Sequence, residues 1–186
     1  LQSLKEQTFE DWNLIAAIHG EDKEISAKII EYFPESIVIN ARAEGNLAST
    51  LNAGLQAATA SFIARIDQDD IAETKRLAIQ VKYLEENSNV LCVGTSATLI
   101  GSEGQHLGHR SQPETFSEIQ EILQWKSPLM HPTVMFRRMP VESIGGYSEI
   151  ATNVEDYDLW LRLAALGPLA GINEPLTRYR IHAEQI

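Results

Sequence analysis

Cysteine is almost missing from this chain of 186 residues: Cys92 is the only one, so no intrachain disulfide can form. A reducing compartment fits that usage. Positive charge is scarce. Lys and Arg number 15 against 26 Asp and Glu, a formal net charge of −11, and no basic run occurs. That balance argues against a nucleic-acid surface and against an anionic-membrane surface, since both want clustered Lys and Arg. No apolar run approaches the roughly 18 residues of a membrane span, and no secretory leader pattern is visible. Repeats and low-complexity tracts are absent, and no composition shift marks a domain boundary. The chain also lacks an initial Met. It opens Leu1-Gln2-Ser3-Leu4-Lys5-Glu6-Gln7, which reads like the inside of a helix.

What is present alternates between strand-like and helix-like stretches. Residues 12–18 read as a strand. Ile25, Ile29 and Phe33 recur at i, i+4, i+8 and predict a helix over 23–33, stopped by Pro34. Residues 37–39 read as a strand, 40–46 as a loop, and Leu47, Leu51 and Leu55 mark a helix to about residue 58. A strand is expected at 61–66, a helix over 73–86 and a strand over 90–100. Residues 101–113 read as a mobile polar loop. A helix over 116–125, a strand over 132–138, a turn at Gly145-Gly146, a helix over 155–166 and an extended stretch over 169–180 complete the series. Alternation in the first half predicts an α/β domain with a mostly parallel sheet flanked by helices.

Two acidic clusters stand out. Phe62-Ile63-Ala64-Arg65-Ile66 is an apolar run that ends in Asp67, Asp69 and Asp70. In open α/β sheets the carboxyl end of a strand is where ligands bind. Three carboxylates there repel unless a cation sits among them, and a hard divalent ion arriving with a phosphorylated ligand would neutralise them. Equally, Asp69 or Asp70 could cap a helix that starts near residue 72, with Asp67 in the turn. The second cluster, Glu155, Asp156 and Asp158, opens a helix. The helix dipole favours acids in a first turn by about 0.3–1 kcal/mol each without any chemistry. A transferase would also need such a group, as general base on an incoming nucleophile. Spacing alone does not bring the two clusters together.

Taken in order, these residues resemble the inverting family 2 glycosyltransferases of the GT-A fold, bacterial type. Gln7-Thr8-Phe9-Glu10-Asp11-Trp12-Asn13-Leu14-Ile15 is similar to that family's lead into its second strand. Leu51-Asn52-Ala53-Gly54-Leu55, then Phe62 through Asp70, resemble its Asp-x-Asp block, followed by Arg76-Leu77 and Gln80. His131-Pro132-Thr133-Val134-Met135-Phe136 resembles its acceptor-side strand. Gly145-Gly146-Tyr147, Glu155-Asp156-Tyr157-Asp158-Leu159-Trp160 and Tyr179-Arg180-Ile181-His182 are similar to its closing blocks. The likeness spans nearly the whole chain and implies one domain over residues 1–186. Its donor-binding half would cover 1–100 and its acceptor-side half 101–186.

The resemblance implies roles. Asp67, Asp69 and Asp70 would bind a nucleotide-sugar donor, UDP-type. Asp69 would hold Mg²⁺ or Mn²⁺ at the diphosphate, with His182 reaching the same ion from the end of the chain, although a near-terminal histidine is also simply an exposed one. Asp156 would be the general base on the acceptor hydroxyl, and Glu155 would orient it. Trp160 is expected in the core rather than under a sugar. Arg76 is expected to be structural, paired with the acidic cluster. The implied setting is cytoplasmic, at the inner face of the membrane, with a glycan or lipid-linked acceptor in surface polysaccharide or glycolipid synthesis.

Two departures bear on this. The family's opening strand, of the type Val-Ser-Val-Ile-Ile-Pro, is not among the 186 residues, which implies an N-terminally truncated fold. Where the family carries Val-Asp-Asp-Gly-Ser, this chain has Ala17-Ile18-His19-Gly20-Glu21-Asp22. The usual Asp for the base or ribose is therefore replaced. These departures favour one rival, a catalytically impaired binding module of the same fold. A nucleotidyltransferase of similar architecture is another, and it would want a Gly-rich basic loop at the first strand. A purely structural reading makes both acidic clusters helix caps.

Overall fold

A computed structural model describes residues 1–42 and 44–182. The elements run α1 (Gln2–Lys5), β1 (Ile15–His19), α2 (Lys23–Tyr32), β2 (Ile37–Ala41), α3 (Leu47–Ala57), β3 (Phe62–Ala64), β4 (Ile71–Ala72) and α4 (Arg76–Glu86). They continue with β5 (Cys92–Ile100), β6 (His106–Arg110), α5 (Phe116–Leu123), a 3₁₀ turn (His131–Thr133), β7 (Met135–Arg137), α6 (Arg138–Ser143), α7 (Glu155–Ala164) and β8 (Leu169–Arg180).

Helix starts follow local chemistry. The Asp22 side chain accepts from the Ile25 amide, and that of Asn46 accepts from the Ser49 amide. Thr115 and Glu118 close a reciprocal capping box on α5. Trp12 lies outside β1. Its ring meets Phe33, the C-cap of α2, edge-on at 5.7 Å between centroids.

The sheet is mixed rather than mostly parallel. β1 and β2 form a separate parallel pair, Ile15 opposite Ile37 through His19 opposite Ala41. The larger sheet has the order β3-β7-β5-β8-β4, with β6 on β5, and only β5–β8 is parallel within it. One short connection accounts for part of this. Residues 101–105 make a tight turn between β5 and β6, with Gly104 at φ +80° and the Gly101 amide donating to the Gln105 carbonyl. A turn that short joins only antiparallel strands. The stretch expected as a mobile loop is therefore partly a strand, at exposed positions with no alternating apolar signal.

The β5 register assigns the core to two faces. Cys92, Phe136 and Leu169 are paired and belong to one cluster; Val93, Met135 and Ala170 are paired one residue on and belong to the other. This is the two-residue period of a strand covered on both sides. Ile119, Leu123, Leu159, Trp160 and Leu163 pack on the first face, and Leu77, Val81 and Leu84 of α4 on the second. Trp160 is 0% exposed, in the core as expected. Among the described residues no helix is long and apolar enough to cross a membrane.

Candidate functional site

Residues 67–70 form the turn that leaves β3, and two tethers hold its entry. The Arg65 amide donates to the Val134 carbonyl at 3.0 Å. Arg76, 1% exposed, donates from Nη2 to the Arg65 carbonyl at 2.5 Å and to the Val134 carbonyl at 3.3 Å, and from Nε to Gln80 Oε1 at 3.0 Å. Gln80 passes the network on to the carbonyls of Val93 and Thr133. Burial lowers the Arg76 pKa to about 10. Arg76 is thus structural, but it holds backbone carbonyls and Gln80 rather than the carboxylates expected as its partners.

The three carboxylates go separate ways. Arg65 grips Asp67 through both terminal nitrogens, at 2.6 and 2.5 Å, in the bidentate geometry that suits a planar guanidinium. Asp69 Oδ2 lies 3.2 Å from His182 Nε2. Asp70 turns inward and is 8% exposed. Its Oδ1 accepts from the Arg180 amide at 2.8 Å, and its Oδ2 has no partner among the described residues. Burial above all, then the charges of Asp67 and Asp69, push its pKa up to about 7. None of the three caps a helix. α4 begins at Arg76 behind Lys75, because residues 71 and 72 pair with β8 instead of starting the helix.

Glu155 and Asp156 occupy the first turn of α7. Glu155 is buried. Asp156 Oδ2 accepts from the Ser127 hydroxyl at 3.1 Å, and its Oδ1 accepts from the Tyr157 amide at 2.7 Å. The preceding turn contains Asn153 at φ 64°, the one non-glycine residue with positive φ among those described. Strained backbone of this kind persists where the surroundings hold it in place, as at ligand sites. Tyr157 ties α7 to α5 by donating its hydroxyl to the Leu123 carbonyl.

Asp67, Glu155 and Asp156 line one cleft of about 230 Å³. The two clusters that spacing alone could not join therefore face each other, with Arg65, Ser127 and His131 between them. Asp69, Asp70 and His182 are not in this lining; Asp69 and His182 pair with each other. The motif around residues 131–133 signalled a strand, not a cleft side chain. His131 Nε2 nevertheless lies 2.9 Å from the Tyr147 hydroxyl, and burial holds its pKa well below the ordinary histidine value, so the ring is neutral. Ser127, Arg110 and Asn153 also line the cleft and carry no sequence signal of their own, and Tyr179 of the closing block lines it too. A second, more open concavity, lined by Gly20, Glu21, Asn40 and Ala41, sits at the carboxyl ends of β1 and β2. It coincides with the altered loop at residues 18–22.

The fold matches solved structures. S. aureus TarS residues 1–349, solved in complex with UDP-GlcNAc, align with a TM-score of 0.71 at 14% identity, over 99% of this chain and 54% of that one. TarS 1–349 alone aligns at 0.70 and 15% identity. This chain spans about half the length of those structures. The likeness defines the GT-A glycosyltransferase fold. The chain belongs to glycosyl transferase family 2, whose sequence model matches residues 1–145. It is 33% identical over 188 residues to the O-antigen biosynthesis glycosyltransferase WbnJ of Escherichia coli, over 98% of this chain and 73% of that protein. It is 30% identical over 191 residues to the amylovoran biosynthesis glycosyltransferase AmsE of Erwinia amylovora, over 100% of this chain and 71% of that protein.

Proposed function

We propose that the chain transfers a sugar, with inversion, from a nucleotide-sugar donor to an acceptor hydroxyl of a surface polysaccharide or glycolipid. One observation carries this: Asp67 from the first half and Asp156 from the second line the same cleft. The relatives named for O-antigen and amylovoran biosynthesis support the substrate class. The TarS complex with UDP-GlcNAc supports a UDP-type donor. The halves then divide the work, residues 1–100 toward the donor and 101–186 toward the acceptor. Reaction at the cytoplasmic face of a membrane, on a lipid-linked or glycan acceptor, belongs to the same proposal.

Each residue has a task. Asp67 has both oxygens oriented by Arg65, which leaves their remaining lone pairs for ribose hydroxyls or for water on a nearby ion. Asp156 takes the acceptor proton, because a sugar hydroxyl is a poor nucleophile until a base removes it. Ser127 holds that carboxylate in place, and Glu155 orients the acceptor. A divalent cation fits the site: Asp69 supplies a hard oxygen, His182 a nitrogen 3.2 Å away, and the buried Asp70 Oδ2 lacks a partner among the described residues. Mg²⁺ and Mn²⁺ commonly need only one or two protein carboxylates plus substrate phosphates. Bound there by Asp69 and His182, the ion would stabilise the charge that develops on the diphosphate leaving group.

The test is UDP release from a panel of UDP-sugars with Mn²⁺ and a crude glycolipid acceptor fraction. The wild type should turn over and Asp156→Asn should not, while both bind UDP. If both bind UDP and neither turns over, the second reading takes over. That reading is a binding module without catalysis, which the replacement of the usual acidic loop by Ile18 and His19 favours.

A further inference from the structure

His106 and His109 stand on β6, at exposed positions that the transfer chemistry does not use. On a regular strand, side chains three residues apart point to opposite faces. β6 is irregular. Thr98 pairs with His109, Leu99 with Gly108, and Ile100 with His106, so Leu107 is an extra, bulged residue. Gly108, at φ +152°, supplies a backbone angle that L side chains rarely adopt. The bulge restores the parity and puts both imidazoles on the face shared with Thr98 and Ile100. Their ring centroids are 4.9 Å apart, and Nε2 lies 3.3 Å from Nε2.

Two nitrogen ligands at about 2.0–2.1 Å from a tetrahedral cation lie about 3.3 Å apart, the bite of this pair. The far side of one ring is also held: His109 Nδ1 lies 3.4 Å from Thr98 Oγ1. A partner on one imidazole nitrogen fixes the ring and leaves the other nitrogen as the ligand. We propose that His106 and His109 form a two-imidazole site for a borderline divalent cation of the Zn²⁺ class, with water filling the other positions. Imidazole suits Zn²⁺, Cu²⁺ and Ni²⁺, whereas Mg²⁺ takes oxygen ligands. Among the described residues no group of three or more His, Cys, Asp or Glu could hold a metal, so the site is open and exchangeable rather than a closed structural centre. Arg110, next in the chain, lines the cleft, so the cation would stiffen the strand that carries it.

The test titrates Zn²⁺ into the full chain by calorimetry in an Asp69→Asn background, which removes the carboxylate near His182 from the comparison. The His106 and His109 ring nitrogens are followed by NMR in the same samples. One Zn²⁺ site is expected, weakened severalfold or more in His106→Ala and in His109→Ala, and unaffected by excess Mg²⁺. Thr98→Val is expected to weaken binding about tenfold, the low end for losing an outer partner of a metal-bound histidine. Circular dichroism establishes that each variant is folded. Absence of Zn²⁺ binding overturns the proposal. So does an affinity unchanged in both histidine variants, or ring nitrogens that do not shift as Zn²⁺ is added.

Discussion

Asp70 should make the metal-free chain less stable as pH rises through the range just below neutrality. The residue is 8% exposed, and Oδ2 lacks a partner among the described residues. In the unfolded chain it ionises near 3.8; in the native state burial, then the charges of Asp67 and Asp69, raise this to about 7. Between those values the native state binds more protons than the unfolded state, so stability falls with rising pH. The penalty is absent below the lower value and complete above the upper one. At 1.36 kcal/mol per tenfold change in proton affinity, a rise of this size corresponds to about 4 kcal/mol, and solvent screening of a group this near the surface turn brings it to about 2 kcal/mol. Asp70→Asn keeps the oxygen that accepts from the Arg180 amide and carries no charge. The assay is urea unfolding in EDTA at about pH 5 and about pH 8.5, where the wild type should lose about 1 kcal/mol more than the variant, the part of the penalty that falls above pH 5. Parallel pH profiles, or a variant less stable than the wild type at the higher pH, would refute the reasoning.

Two further perturbations test the scaffold. Arg76→Met strips the donor from the carbonyls of Arg65 and Val134 and from Gln80, and should destabilise the chain by about 3–5 kcal/mol in urea unfolding; a loss under about 1 kcal/mol would contradict the network. Asn52 exchanges two hydrogen bonds with the Tyr147 backbone, each 2.8 Å, so Asn52→Ala should lower stability by about 2 kcal/mol, read as a shift in thermal midpoint.

Much of the fold was legible because its signals are local. Leu77, Val81 and Leu84 announced α4, and Leu159 and Leu163 announced α7, through spacing alone. Tertiary competition was not legible. Residues 71 and 72 look like a helix start, yet β8 captures them as a strand, and that removes the capping role from Asp69 and Asp70. His106, Leu107, Gly108, His109 and Arg110 show no alternation, so β6 reads as a loop in the sequence, and neighbouring β5 supplies the order. The acidic clusters were visible as motifs, but their meeting in one cleft depends on the pairing of β3 with β7, and of β7 and β8 with β5. Ser127 and His131 were missed because a single polar residue beside an apolar run has no period to betray it.

The most direct test of a metal-assisted, nucleotide-sugar transfer site is calorimetric titration of UDP, with and without Mn²⁺, into the wild type and Asp69→Asn. Binding that requires Mn²⁺ and disappears in Asp69→Asn is the expected result. A folded wild type that binds no UDP with Mn²⁺ present, or binds it equally well in Asp69→Asn, would contradict the assignment of this cleft.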